Sequence, residues 1–265
     1  MILAIDIGNT TVGFYVADKD SNRIEVRSSF TLPTDAAWTV QQYEAEIRQA
    51  MSQKACEPDF VRQVDSIILS SVVPAVGTLV KRAVEAVFQM EAEELSNRDN
   101  RLLQLQVKEP DKVGFDRIAD ATWAAENYPL PVVTVDMGTA TTFNVVDEHR
   151  NFLGGVIAPG ILTGLEALSH KAAKLPEIPV EAPAHVIGRD TVECMQSGAV
   201  FGAAAMVDGM LARIEEALGR EVTVVMTGGG AKIVHPLCSH AHIYEPQLLI
   251  KGLILMKLNQ KTIES

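Results

Sequence analysis

The sequence predicts an α/β protein built from two similar halves that face each other across a cleft. Three observations carry that prediction. A strand–turn–strand unit occurs twice: residues 2–12 read I-L-A-I-D-I-G-N-T-T-V, and residues 132–142 read V-V-T-V-D-M-G-T-A-T-T. The two copies, marked by Asp6 and Asp136, lie about half a chain apart. Around them, apolar runs of strand length alternate with stretches of helical periodicity, the pattern of α/β layers.

In chain order, strands are expected at 2–6, 12–18 and 23–31, where apolar and β-branched residues concentrate. Apolar and aromatic positions at helical spacing predict a helix over 37–53. Residues 65–70 read as a buried strand and 75–90 as a helix. The stretch 95–115 holds Asn, Asp and Pro and reads as strand and loop. Ile118, Ala121, Thr122 and Ala125 share one face of a helix over 116–126. The theme then restarts, with strands at 132–136, 142–147 and 152–158 and a helix after Gly160. Residues 175–186 read as loop, and 190–217 is the longest helical stretch. A short strand at 222–226 ends at Thr227-Gly-Gly-Gly230 and a helix follows. Another helix closes the chain at 247–260. The division is placed at 1–115 and 116–265.

Composition excludes several functions. The formal net charge of −11 and the lack of any basic run argue against a nucleic-acid surface. The 47% apolar content is ample for a core. No uninterrupted apolar run of membrane-spanning length is evident, and the first residues read as strand rather than as a leader. Cys56, Cys194 and Cys238 form no disulfide framework and fit a reducing cytosol. His235, Cys238, His240 and His242 lie close together, but their spacing matches no common zinc pattern, so a surface loop is expected there.

The chemistry concentrates at glycine turns. Gly8 and Gly138 permit close approach of a ligand to the backbone, and successive N–H groups in such turns make an anion site. Thr10, Thr11, Thr139, Thr141 and Thr142 add hydroxyl donors. Asp6 and Asp136 suit a cation that neutralises phosphate, directly or through water. The triple glycine at 228–230 reads as a third contact, to adenosine. Val113-Gly-Phe-Asp116-Arg117 opens the helix that follows. Asp116 suits capping of that helix; the sharper reading is the carboxylate that orients an alcohol and accepts its proton. Arg117 can hold a carboxylate or phosphate in its planar fork.

Taken together these segments resemble the type III pantothenate kinases. The resemblance runs nearly end to end. It rests on Asp6-Ile-Gly-Asn-Thr10, Gly114-Phe-Asp-Arg117, Asp136-Met-Gly-Thr-Ala140 with Thr141-Thr-Phe143, and Gly154-Gly-Val-Ile-Ala-Pro-Gly160. It continues through Ala173-Lys-Leu-Pro176, Ile187-Gly-Arg-Asp-Thr191 and Met195-Gln-Ser-Gly198. The two phosphate turns alone would indicate only the wider acetate/sugar kinase, Hsp70 and actin superfamily. The resemblance implies duplicated ribonuclease H-like halves with mixed sheets flanked by helices. It implies a cytoplasmic homodimer that uses ATP, Mg²⁺ and K⁺ or NH₄⁺ to phosphorylate pantothenate to 4′-phosphopantothenate, the opening step of coenzyme A synthesis.

Carried over by position, Asp116 is the general base. Asp6, Ile7, Gly8, Asn9, Thr10, Thr11, Val12, Gly13 and Thr139 contact ATP, with Gly228 and Gly229 as further contacts. Gly114, Phe115, Asp116, Arg117 and Thr191 contact pantothenate. Asp136 holds the monovalent cation, and Asp6, on the chemistry of its turn, is read as the Mg²⁺ residue, directly or through water. Three positions depart from the family pattern. Phe115 stands where Ala is usual, Val107 where a Tyr often meets substrate, and Asp190 where Asn is common. Two other readings stay open: another small-molecule kinase or phosphohydrolase on the same scaffold, and a non-catalytic nucleotide or metabolite sensor.

Overall fold

The computed structural model describes residues 1–19, 24–53, 63–172 and 174–260. Arg23, Cys56 and Ala173, each part of a sequence expectation, lie outside the described residues.

The first sheet opens with β1 (Ile2–Ile7), β2 (Thr11–Ala17) and β3 (Val26–Pro33), an antiparallel meander. Helix α1 (Val40–Gln53) leads to β4 (Ser66–Ser71), which pairs parallel to β1. Helix α2 (Pro74–Phe88) leads to the short edge strand β5 (Ala92–Glu94). The order across the sheet is β3-β2-β1-β4-β5. Strand β1 sits in the middle, and Ile2, Leu3, Ala4, Ile5 and Ile7 are all buried, which is why it reads as a nearly unbroken apolar run.

Next come β6 (Gln104–Leu105) and helix α3 (Phe115–Asn127), then the second meander: β7 (Val132–Met137), β8 (Ala140–Val146) and β9 (Asn151–Pro159). Helices α4 (Ile161–Lys171) and α5 (Thr191–Leu218) follow. Strand β10 (Thr223–Thr227) pairs parallel to β7. After helix α6 (Ala231–Val234), β11 (Ile243–Tyr244) pairs parallel to β10. Helix α7 (Leu248–Gln260) ends the described chain. The second sheet runs β11-β10-β7-β8-β9-β6. Without β6 it repeats the first sheet's order and strand directions, so the duplication seen in two turns extends to whole sheets.

Two compact units emerge. The first holds Met1–Leu103, Glu109–Trp123 and the segment from Leu249; the second holds Gln104–Lys108 and Ala124–Leu248. The units thus interleave along the chain, whereas the expected division into 1–115 and 116–265 is a single cut. In the first unit, Leu3, Ile5, Phe14, Tyr43, Val80 and Leu69 belong to one core. In the second, Val133, Val135, Phe143, Val200, Val207 and Met226 do the same.

Local chemistry sets the helix ends. Helix α1 starts at Val40 rather than 37 because Thr39 and Gln42 cap each other. The Gln42 N–H donates to Thr39 Oγ1 at 3.2 Å and the Thr39 N–H to Gln42 Oε1 at 2.7 Å. Trp38 packs edge-on against Tyr43, with centroids 5.0 Å apart, pinning the chain on entry. Asp190 caps α5 by accepting from the Glu193 N–H at 2.8 Å, and Gly219, with φ +70°, ends it. The helix expected after Gly230 is a single turn followed by a 3₁₀ turn, His235–Leu237, that contains Pro236. The edge strands β5 and β11 are too short to carry a period.

Helix α5, with 28 residues, is long and apolar enough by length and composition to cross a membrane. Its Met195, Val200, Ala203, Ala204, Val207 and Leu211 belong to the core of the second unit, so the same length and apolarity serve a core helix.

Candidate active site

The first turn joins β1 to β2. Asp6 interrupts the buried run of β1 one residue before its end and is itself half-buried, while Asn9, Thr10 and Thr11 are exposed. The Gly8 N–H donates to the Thr11 carbonyl at 3.0 Å and closes the turn. Thr34, just past β3, braces it twice. Its N–H donates to the Thr10 carbonyl at 3.0 Å, and its hydroxyl to the Gly8 carbonyl at 2.7 Å. Ile7 and Val12 are fully buried, so only their backbone can meet a ligand.

Asp116 lies in the first turn of α3. Its Oδ1 accepts the Arg117 N–H at 2.8 Å. Asp116 is thus the second residue of the helix rather than its N-cap, a place taken by Gly114, whose carbonyl accepts the Ile118 N–H; holding one first-turn N–H leaves the carboxylate a second oxygen for chemistry. Gly114 makes the arrangement possible: a Cβ there would stand 2.5 Å from Asp116 Oδ1. Asn97 fixes the approach, donating from Nδ2 to the Val113 carbonyl at 2.7 Å. Phe115, Asp116 and Arg117 are each half-buried. Burial pushes the Arg117 guanidinium below its usual value, and the Asp116 charge offsets only part of that.

The second turn joins β7 to β8 and exposes Gly138 and Thr139. Gly138 N–H donates to the Ala140 carbonyl at 3.0 Å. The Thr139 carbonyl accepts from the Gly160 N–H at 3.0 Å and from Thr163 Oγ1 at 2.8 Å. From the other side, the Gly230 N–H donates to the Met137 carbonyl at 2.8 Å. Gly228 has φ +91°, and a Cβ on it would stand 2.3 Å from Asp136 Oδ1. Its lack of a side chain makes room for Asp136, a job the sequence reading did not foresee. Gly229, by contrast, faces open space and is exposed. Asp6 and Asp136 are hard oxygen donors at strand ends beside turns of N–H donors, and Gly228 leaves a cradle around the second. That donor chemistry fits a hard cation at either carboxylate.

Thr191 opens α5 and lines a cavity of about 770 Å³ in the second unit, together with Thr141, Gly160, Arg189 and Cys194. Thr141 is buried and its Oγ1 has no hydrogen-bond partner. Arg189 was not singled out in the sequence; its signal was its place in the Ile187–Thr191 segment. Asp190, one of the departures, is the helix cap described above. Val107 packs near Gly154, its Cγ1 3.5 Å from where a Cβ would stand there. His235, Cys238, His240 and His242 do form a loop cluster: His242 Nε2 lies 3.4 Å from His235 Nδ1. Among the described residues no group of three or more His, Cys, Asp or Glu is placed to hold a metal. Burial and Asp208 push the Cys238 thiol up to about 11.

The sequence profile of the type III pantothenate kinases matches residues 2–213. The chain belongs to that family. A type III pantothenate kinase of Exiguobacterium sibiricum is 36% identical over 253 residues, covering 96% of this chain and 97% of that one. The ethanolamine utilization protein EutJ of Carboxydothermus hydrogenoformans shares the fold with a TM-score of 0.51 at 14% identity, over 97% of this chain and 88% of its own. An inorganic polyphosphate/ATP-glucomannokinase of an Arthrobacter species aligns over the full chain and 99% of its own, with a TM-score of 0.47 at 12% identity. As a type III pantothenate kinase, the chain is a phosphotransferase that phosphorylates pantothenate with ATP, the opening step of coenzyme A synthesis.

Proposed function

We propose that this chain performs the transfer with Asp116 as the group that orients the pantothenate hydroxyl and accepts its proton as the oxygen attacks the γ-phosphorus of ATP. The observation that carries the assignment is the opening of α3. There Gly114 leaves room for a half-buried carboxylate, and a half-buried guanidinium follows it directly. Arg117 holds the anionic end of pantothenate, Gly114 and Phe115 stand beside it in the chain, and Val107 and Thr191 are assigned to pantothenate by the family pattern. The Asp6–Gly13 turn and Thr139 offer N–H and hydroxyl donors to the ATP phosphates, and Gly229 lies open to the adenosine side. Asp6 holds Mg²⁺ and Asp136 holds K⁺ or NH₄⁺; these ions would neutralise phosphate charge.

The same reading makes the chain a cytoplasmic homodimer with repeated halves 1–115 and 116–265. The exposed Ile157, Leu162, Val186 and Ile187 of the second unit support self-association. ATP turnover measured with and without pantothenate, in K⁺ and then in Na⁺, tests the whole proposal. Turnover that requires both pantothenate and K⁺ is expected. ATP hydrolysis indifferent to pantothenate would point to another acceptor. Asp116→Asn should keep its fold and lose about a hundredfold or more in kcat. Wild-type turnover in that variant would remove Asp116 from the base role.

A further inference from the structure

In β2 the ring of Tyr15 lies across Gly13. A Cβ on Gly13 would stand 2.6 Å from the ring and 2.9 Å from the phenol oxygen, so the ring occupies the space a side chain at 13 would need. Gly13 is the register partner of Asp6, and Tyr15 is the partner of Ala4. Alternate residues share a face in an antiparallel pair, and diagonal neighbours are within reach of long aromatic side chains. The ring that lies over Gly13 therefore carries its hydroxyl along the strand toward Asp6. The phenol is half-buried. A tyrosine hydroxyl carries its proton at neutral pH and can therefore donate to a carboxylate.

The second half fills the corresponding places differently. Thr142 pairs with Asp136, and Asn144 pairs with Thr134. Asn144 Nδ2 donates to Thr134 Oγ1 at 3.0 Å and reaches Thr142 Oγ1 at 3.5 Å. The glycine–tyrosine combination thus belongs to the first turn alone of the two.

We propose that Tyr15 is a positioning residue for Asp6: its hydroxyl holds the carboxylate in the orientation that Mg²⁺-nucleotide binding requires. The proposal rests on the reading of Asp6 as the Mg²⁺ residue. Groups that orient a metal-binding side chain typically change metal affinity by about 10- to 100-fold when removed.

The test is Tyr15→Phe, which keeps the ring over Gly13 and deletes only the hydroxyl. ADP binding is titrated calorimetrically at increasing Mg²⁺, and the Mg²⁺ concentration for half-maximal turnover is measured beside it. About a tenfold rise in the Mg²⁺ requirement of both is expected, with the melting temperature and the pantothenate KM unchanged. An unchanged Mg²⁺ requirement overturns the proposal. So does a loss confined to melting temperature, which would make the hydroxyl merely structural. A wild type that binds ADP and turns over without regard to Mg²⁺ removes the reading of Asp6, and the Tyr15 proposal with it.

Discussion

The turn after β1 and the turn after β7 share a sequence pattern and a place in their sheets, yet they are braced from different directions. Thr34, at the end of the same meander, holds the first through two hydrogen bonds. The second is gripped from both sides, by Gly160 and Thr163 at the start of α4 and by the glycines after β10. The difference shows how a duplicated unit diverges. The strand pairing is kept because it builds the core. The residues that brace each turn are free to change, and with them what each carboxylate can hold.

The largest expected effect separates the two carboxylates. Asp6→Asn should lower kcat/KM for ATP by about a hundredfold, the loss typical of one placed electrostatic group. Asp136→Ala should mainly blunt the response to K⁺ over Na⁺. Steady-state kinetics in the two salts check both, and equal, salt-independent losses would erase the distinction between the turns.

A smaller effect concerns the glycines after β10. Gly228→Ala places a Cβ against Asp136 at a positive φ, and should cost about 1–3 kcal/mol of stability. Gly229→Ala meets open space and should fall within about 0.5 kcal/mol of wild type. Denaturant titration of the pair decides whether the second turn is as tightly gripped as its contacts indicate.

The smallest effect lies where a helix glutamate takes up an N–H at the entry to a strand. In the first unit Glu85 receives the Ala92 N–H of the edge strand. In the second, Glu215 receives the Val222 N–H and also meets His240 at 3.1 Å, giving that unit a pH-sensitive tie. Burial disfavours the His240 cation, but the Ala241 carbonyl, Glu215 and Asp208 outweigh it and raise its pKa above 6.5. A raised histidine stabilises fully below 6.5, and that contribution fades as pH rises through the folded value. His235 has the opposite sign: burial and His242 lower it, so it acts below 6.5. Melting temperature followed over about two pH units above 6.5 should fall modestly in wild type. His240→Gln should flatten that fall; an equal slope in the variant would place the titration elsewhere.

Much of this was legible in the chain. The long elements appeared at nearly their observed positions because their periods are local: β1 and β4 as apolar runs, α3 and α5 as helical stretches. Asp6, Asp116 and Asp136 were visible because glycine next to a carboxylate at a strand or helix end is a compact signal. The strands β5, β6 and β11 were less legible, since two or three residues have no period and become strands only by pairing. Thr34 and Tyr15 were missed for a related reason: nothing in their own neighbourhood marks them, whereas Arg189 lay inside the Ile187–Thr191 segment without being singled out.

The sequence by itself determined the alternation of strands and helices, the repeat, the family and the carboxylates, because each is written in short-range patterns of polarity and backbone freedom. Only the tertiary structure decided that α7 joins the unit of the first sheet, that Gly228 makes room for Asp136, that α5 is a core helix, and that a phenol leans over Gly13 toward Asp6. Those depend on which surfaces meet, and close packing between residues far apart in the chain is settled by the whole fold at once.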